Sequence, residues 1–207
     1  LVDQLVRTRT DPAEQRERIV AAALNLFSQR GYAETSNAQI ARAAGLRSTG
    51  LLYYYFPKKR DLLQAVLERH APPLQLLEES EVLWALPPKE VVRRFAAAYA
   101  EILASDEAPS FMRVVLGEAL RSPEVAEMLA RVAPERVISF LRNYLEAQMG
   151  QGKLRRTNPE LAARTILGPL FTLALYRAIF GLSPLQAVSP EELADQVVTN
   201  FWEGFKP

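Results

Sequence analysis

Prolines divide the C-terminal two-thirds of this 207-residue chain into helix-length pieces. They stand at Pro72-Pro73, Pro87-Pro88, Pro109, Pro123, Pro134, Pro159, Pro184 and Pro190, and each precedes or opens a stretch of roughly 10–20 residues with helical apolar spacing. A proline suits the first turn of a helix because its missing N–H has no intrahelical partner there. No run alternates apolar and polar residues long enough for a strand, and Asn-Gly hairpin signals are absent. The stretch Met149-Gly150-Gln151-Gly152-Lys153 reads as a turn between helices. The expected fold is all-α: about nine helices, with a basic N-terminal third and a larger C-terminal bundle.

The residue inventory removes several function classes. There is no cysteine and only one histidine, His70, which excludes disulfide scaffolds, thiol nucleophiles, Cys/His zinc sites and histidine-dependent triads. No glycine-rich phosphate loop is present. Carboxylates such as Glu118 and the Glu78-Glu79 pair have no nucleophile, base or metal spacing beside them, so the chain is read as a non-enzyme without metal or cofactor. The most apolar run, Ile166 to Tyr176, contains Pro169, is followed by Arg177 and is too short to span a bilayer, so no membrane partner is expected. The chain starts at Leu1, read as a trimmed initiator or tag. With no signal-like start and no cysteine, a reducing, cytoplasmic location is expected.

Charge and spacing single out the N-terminal third. Residues 1–70 carry 11 Lys+Arg against 7 Asp+Glu, a balance of +4, while the rest carry 14 against 17, a balance of −3. A basic end on a near-neutral body points to an anionic partner. Ile19, Ala22, Ala23, Leu26 and Phe27 form one stripe of a helix over Arg16 to Arg30, closed by Gly31. Thr35-Ser36 offer N-cap chemistry for a second helix through Ile40, Ala41 and Ala44 to Gly45. A third runs from about Ser48 to Tyr55, and Pro57 is expected in the first turn of a fourth that continues from Lys59 to Arg69. Two short helices joined by a glycine-containing turn describe a helix-turn-helix, whose second helix enters the DNA major groove.

These residues resemble the N-terminal domain of TetR-type transcriptional regulators. The resemblance rests on Ile19-Val20-Ala21-Ala22-Ala23, Leu26-Phe27, Gly31-Tyr32, Thr35-Ser36, Ile40-Ala41, Ala44-Gly45 and Leu52-Tyr53-Tyr54-Tyr55-Phe56, followed by Lys59 and Leu62-Leu63. It covers Arg16 to Leu63, about 48 of 207 residues. It implies that Thr35 offers a hydroxyl to a phosphate, with Ser36 beside it in the contacting set. Tyr53 and Tyr55 touch the DNA backbone, Tyr54 joins them, and Lys59 meets a phosphate from the start of the fourth helix. Ser48, Thr49 and Gly50 sit where the family reads base edges. Two positions depart from the family pattern. Arg47 reads as one extra residue in the turn, which either brings a guanidinium to phosphate or guanine or rotates the reading helix out of register. Asn37 replaces a residue that is usually apolar: if buried its amide needs partners, and if exposed it is a DNA contact.

The expected division is 10–56 for DNA binding and 57–207 for ligand binding and dimerisation, with a connecting helix over about 57–70. Aromatic and sulfur-bearing residues of the middle helices, Phe95, Tyr99, Phe111, Met112, Phe140, Tyr144, Phe171 and Tyr176, suit an apolar pocket, with Arg113, Asn143 and Arg177 as polar anchors. The stretch Leu161 to Phe180 is apolar nearly all round, and the last helix carries one wide apolar stripe. Taken with the family resemblance, these imply a four-helix homodimer interface through Leu167, Leu170, Phe171, Leu193, Val197, Phe201 and Trp202. The expected function is a dimeric, ligand-responsive DNA-binding regulator, a repressor released from a pseudo-palindromic operator by a small apolar or acyl-type effector. The rival is a helical small-molecule-binding protein whose DNA motif has degenerated.

Overall fold

The computed structural model describes residues 11–181 and 188–207. Thr10, the first residue of the expected N-terminal domain, and Pro184, expected to open a helix, lie outside them. Among the described residues there are twelve α-helical segments and no strand. Ten are full helices, close to the nine expected, and two are short pieces in the stretch after the double proline at 72–73. The chain divides into two compact units, the first ending at Val66 and the second running from Leu67 to Pro207.

In the first unit, α1 spans Pro12–Arg30, α2 Asn37–Ala43 and α3 Thr49–Tyr55. Helix α1 starts about one turn before Arg16, where the sequence places its start, because Asp11 caps it by accepting from the Ala13 N–H at 3.1 Å and Pro12 fills the first position. Ile19, Val20, Ala23 and Phe27 of α1 are buried with Ile40 and Ala41 of α2 and Leu52 of α3. Helix α4, Lys59–His70, is shared between the units: its first two turns bury Leu62, Leu63 and Val66 in the first, and Leu67 begins the second. The division between the compact units therefore falls inside this helix, within the connecting stretch expected over about 57–70. Pro57 lies two residues before α4, whose entry is closed by Asp61 Oδ2 accepting from the Lys58 N–H at 3.0 Å.

In the second unit, α5 (Pro72–Gln75), a 3₁₀ turn (Leu76–Glu79) and α6 (Ser80–Ala85) lead into α7 (Pro88–Ala104), α8 (Ala108–Arg121), α9 (Pro123–Val132), α10 (Pro134–Gly150), α11 (Pro159–Phe180) and α12 (Pro190–Phe205). Helices α9, α11 and α12 each pair a cap with a first-turn proline. Ser122, Asn158 and Ser189 accept from the N–H groups of Val125, Leu161 and Glu192. The turn after α10 contains Gly152 at φ +71°. The core joins Leu83, Val91, Val92, Phe95, Leu141, Tyr144 and Leu145 to Ile166, Leu167, Val198 and Phe201. The Tyr144 hydroxyl donates to the Leu86 carbonyl at 2.6 Å, and burial pushes its pKa up to about 12. Helix α12 packs along α7, held also by an Arg93–Asp195 ion pair and by the Lys89 ammonium 4.2 Å from the Trp202 ring centroid.

Candidate nucleic-acid interface and effector cavity

The turn between α2 and α3 is fixed from both sides. At the start of α2, Ser36 Oγ accepts from the Gln39 N–H at 3.2 Å, and Gln39 Oε1 accepts from the Ser36 N–H at 2.7 Å, a reciprocal capping box. At its end, the Gly45 N–H donates to the Arg42 carbonyl and the Leu46 N–H to the Ala41 carbonyl, a Schellman arrangement that requires positive φ at Gly45, observed at +68°. Arg18 reaches over from α1, its Nη2 donating to the Ala44 carbonyl at 3.0 Å. A Cβ added at Gly45 would stand 2.7 Å from that nitrogen, so the guanidinium would have to shift, and the positive φ itself favours glycine.

From this turn α3 projects a polar start and an aromatic end. Leu52 and the following Phe56 are buried and anchor it. Arg47, Ser48 and Gly50 are exposed and Thr49 is half-buried. The Ser48 hydroxyl makes no capping bond, and a Cβ at Gly50 would meet only Ser48 Oγ at 3.6 Å, so the outer side of this turn is open. Tyr53 is 49% and Tyr54 78% exposed, and Tyr54 meets the half-buried Tyr55 edge to face at 5.3 Å. Asn37 Nδ2 donates to Tyr53 Oη at 3.2 Å, while Asn37 Oδ1 is buried without a partner. Asn37 is thus half-buried and bound to the reading helix.

Two expected phosphate contacts have other partners. Thr35 is 1% exposed, and its hydroxyl donates to the Gly31 carbonyl at 2.7 Å, with the Leu26 carbonyl at 3.3 Å. It braces the end of α1, and the exposed hydroxyl at the head of α2 is that of Ser36. That corrects the role expected of Thr35. Lys59 Nζ donates to the carbonyls of Tyr32 and Ala33 and sits 4.3 Å from the Tyr32 ring centroid, so it ties α4 to the turn after α1.

The second unit holds a cavity of about 280 Å³. Met112, Val115, Leu116 and Ala119 of α8 face it, as do Ala126, Leu129, Ala130 and Ala133 at and after α9. Both sets follow the i, i+3, i+4, i+7 pattern of one helix face. Leu67, Ile102, Val137 and Phe171 close other sides, and among the described residues Tyr99 supplies the one polar side chain of the wall.

A family model described as the C-terminal domain of AefR-like transcriptional repressors matches residues 90–206, and the model for bacterial regulatory proteins of the tetR family matches residues 19–66. The chain belongs to the TetR family of transcriptional regulators. It is 27% identical over 158 residues to the HTH-type transcriptional repressor BepR of Brucella suis, covering 76% of this chain and 73% of that one. Over 62 residues it is 48% identical to the regulator HbdR of an Aromatoleum strain, covering 28% of this chain and 27% of that one. A TetR-family regulator from Mesorhizobium loti shares its fold with a TM-score of 0.74 at 24% identity, covering 94% and 98% of the two chains. A SmeT–triclosan complex does so with a TM-score of 0.70 at 20% identity, covering 93% and 92%.

Of the residues this TetR-family chain was expected to place around an effector, Tyr99, Met112 and Phe171 line the cavity. Phe95 and Tyr144 are core, and Phe140 packs with them and Trp84 in an aromatic cluster. Phe111 is buried but is not in the wall. Asn143 is exposed and accepts from Arg142, and Tyr176 lies on the surface against Phe180. Arg113 is held by the Ala178 carbonyl and Ser110, and Arg177 by the Leu103 carbonyl and Asp106. Spacing could have found the α8 and α9 faces. Apart from Met112, these faces carry no aromatic or sulfur-bearing side chain, because the space is made largely by alanines.

The expected dimer set also divides. Leu167, Leu170 and Phe201 are buried within the chain, while Leu193, Val197 and Trp202 pack against its core from its edge. The wide stripe of α12 is therefore covered by α7, which corrects its expected outward role. Among the residues α11 leaves exposed is a row of Leu161, Thr165, Gly168, Thr172, Tyr176 and Ile179, and Phe171 of the expected set is also exposed. No helix among the described residues is long and apolar enough to cross a membrane.

Proposed function

We propose that this TetR-family regulator is a cytoplasmic repressor that binds a two-fold-symmetric DNA site as a homodimer and leaves it when a small, largely apolar effector fills the cavity of the second unit. The observation that carries the DNA reading is the open face at the start of α3, where Arg47 and the Ser48 hydroxyl in the preceding turn have no partner among the described residues and two tyrosines of the helix stand in solvent. In this reading Ser36, Tyr53, Tyr54 and Tyr55 hold the backbone, Arg47 meets a phosphate, and Ser48, Thr49 and Gly50 approach base edges.

The dimer reading rests on the uncovered row of α11. It repeats at 161, 165, 168, 172, 176 and 179, close to a heptad, with small residues in the middle that let two copies of the helix approach. A two-fold pair sets two reading helices one helical turn of DNA, or a multiple of it, apart.

The effector reading rests on Leu67. This residue lines the cavity and stands on α4, whose preceding turns belong to the DNA-binding unit. An occupant that favours one placement of Leu67 biases that helix only as far as its affinities for the two states differ. Transcription in vitro from a promoter carrying the DNA next to this chain's own gene tests the proposal. Added protein should lower transcript yield from that template and leave a scrambled one unchanged, whereas raised or unchanged yield would overturn the repressor reading.

A further inference from the structure

The cavity wall is uniform except at one point. Alanine, leucine, valine, proline, methionine, isoleucine and phenylalanine supply all of it but Tyr99. Among the described residues no cation or anion lines it, and several charged groups on the surrounding helices are engaged elsewhere. On α8, Arg113 is bound to Ala178 and Ser110, and the buried Glu118 carboxylate is paired with Arg121 at 3.2 Å. On α9, Arg131 pairs with Glu127 at 3.2 Å, and at the start of α10 Arg136 pairs with Glu68. Tyr99 makes no hydrogen bond among the described residues, unlike the equally perturbed Tyr144, which donates to Leu86.

A phenol in this position has one strong donor and nothing to receive it. Burial pushes its pKa up to about 12, so it keeps its proton at neutral pH. An ionised ligand would leave water for a wall with no countercharge, which costs far more than an apolar contact returns. A purely hydrocarbon ligand would leave the phenol proton unmatched.

Resting on the reading of this cavity as the effector site, we infer that the effector is an uncharged apolar molecule with one hydrogen-bond acceptor, a ketone, ester or ether oxygen that receives the Tyr99 hydroxyl. The space of about 280 Å³ suits a small ligand. A free carboxylate is excluded, which narrows the acyl-type effector expected from the sequence to a neutral acyl compound.

Three probes of one shape test this: propiophenone, propylbenzene and 3-phenylpropanoate, each titrated calorimetrically into the full chain at neutral pH. One net hydrogen bond corresponds to about a threefold to tenfold gain in affinity. Propiophenone should bind about that much tighter than propylbenzene, and 3-phenylpropanoate should not bind. Tyr99→Phe should bring propiophenone down to the propylbenzene level and leave propylbenzene unchanged. Equal binding of ketone and hydrocarbon, a ketone advantage that survives Tyr99→Phe, or binding of the carboxylate would each overturn the inference. Binding of none would overturn the cavity reading with it. A ketone held through Tyr99 that leaves DNA affinity unchanged would uphold the ligand chemistry and overturn only the regulatory role.

Discussion

Asn37 on α2 donates to the phenol oxygen of Tyr53 on α3 across 3.2 Å. The bond fixes an otherwise exposed ring, and because Tyr53 accepts here, its own O–H proton stays available to a phosphate. The same amide leaves its buried Oδ1 without a partner. Asn37→Val should therefore separate stability from DNA affinity. Removing an unsatisfied buried carbonyl should keep the urea midpoint from falling, while operator affinity should drop about threefold to tenfold, the equivalent of one net hydrogen bond. A variant that loses stability and binds as before would show that Asn37 is only a brace.

Gly45 and Arg18 share one small volume. Gly45→Ala forces a left-handed alanine and drives its Cβ to 2.7 Å from Arg18 Nη2, so it should destabilise the chain by about 1–2 kcal/mol in urea unfolding. Arg18→Ala removes that neighbour and also the bond to the Ala44 carbonyl. The double variant should cost less than the two single changes together, because the clash is then gone. Strict additivity would mean that the guanidinium swings aside freely.

Alkaline pH should weaken the fold through two buried phenols. Tyr99 and Tyr144 are both raised from the usual 10 to about 12 by burial. Below pH 10 both states hold the proton and nothing changes; between pH 10 and 12 the unfolded chain ionises first, so stability falls as pH rises. Urea midpoints followed over that window should fall less steeply for Tyr99→Phe and Tyr144→Phe than for the parent. Parallel slopes would show that these phenols titrate normally.

The exposed row of α11 should be where two copies meet. Thr172→Arg places a long cation in its middle without touching the chain's own core, since Thr172 is exposed. Sedimentation should then report a monomer with an unchanged helical spectrum, against a dimer for the parent. A dimer that survives this change would move the interface elsewhere.

The helices were legible in the sequence because apolar period and cap chemistry agree: Ser122-Pro123, Asn158-Pro159 and Ser189-Pro190 mark starts that the structure keeps. Directions of single groups were not. Whether the Thr35 hydroxyl faces a phosphate or the end of α1 depends on where that end lies, and the carbonyl of Gly31 takes it. An amphipathic stripe names no partner, so α12 could have faced a second copy but faces α7. The cavity was hidden for a related reason. Ala119, Ala126, Ala130 and Ala133 make space by lacking bulk, and missing volume leaves no motif. Pro57 looked like a first-turn residue, yet the cap at Asp61 starts α4 two positions later.

If α3 reads DNA while Arg47, in the turn before it, holds a phosphate, one titration will show it. The parent and Arg47→Ala would be titrated against labelled DNA flanking the gene at several salt concentrations, with random duplex as competitor. The parent should bind tightly, survive the competitor at two subunits per site, and show a log–log salt slope that becomes shallower by about one in Arg47→Ala. Parent binding that random duplex removes, and that collapses with salt, would contradict it.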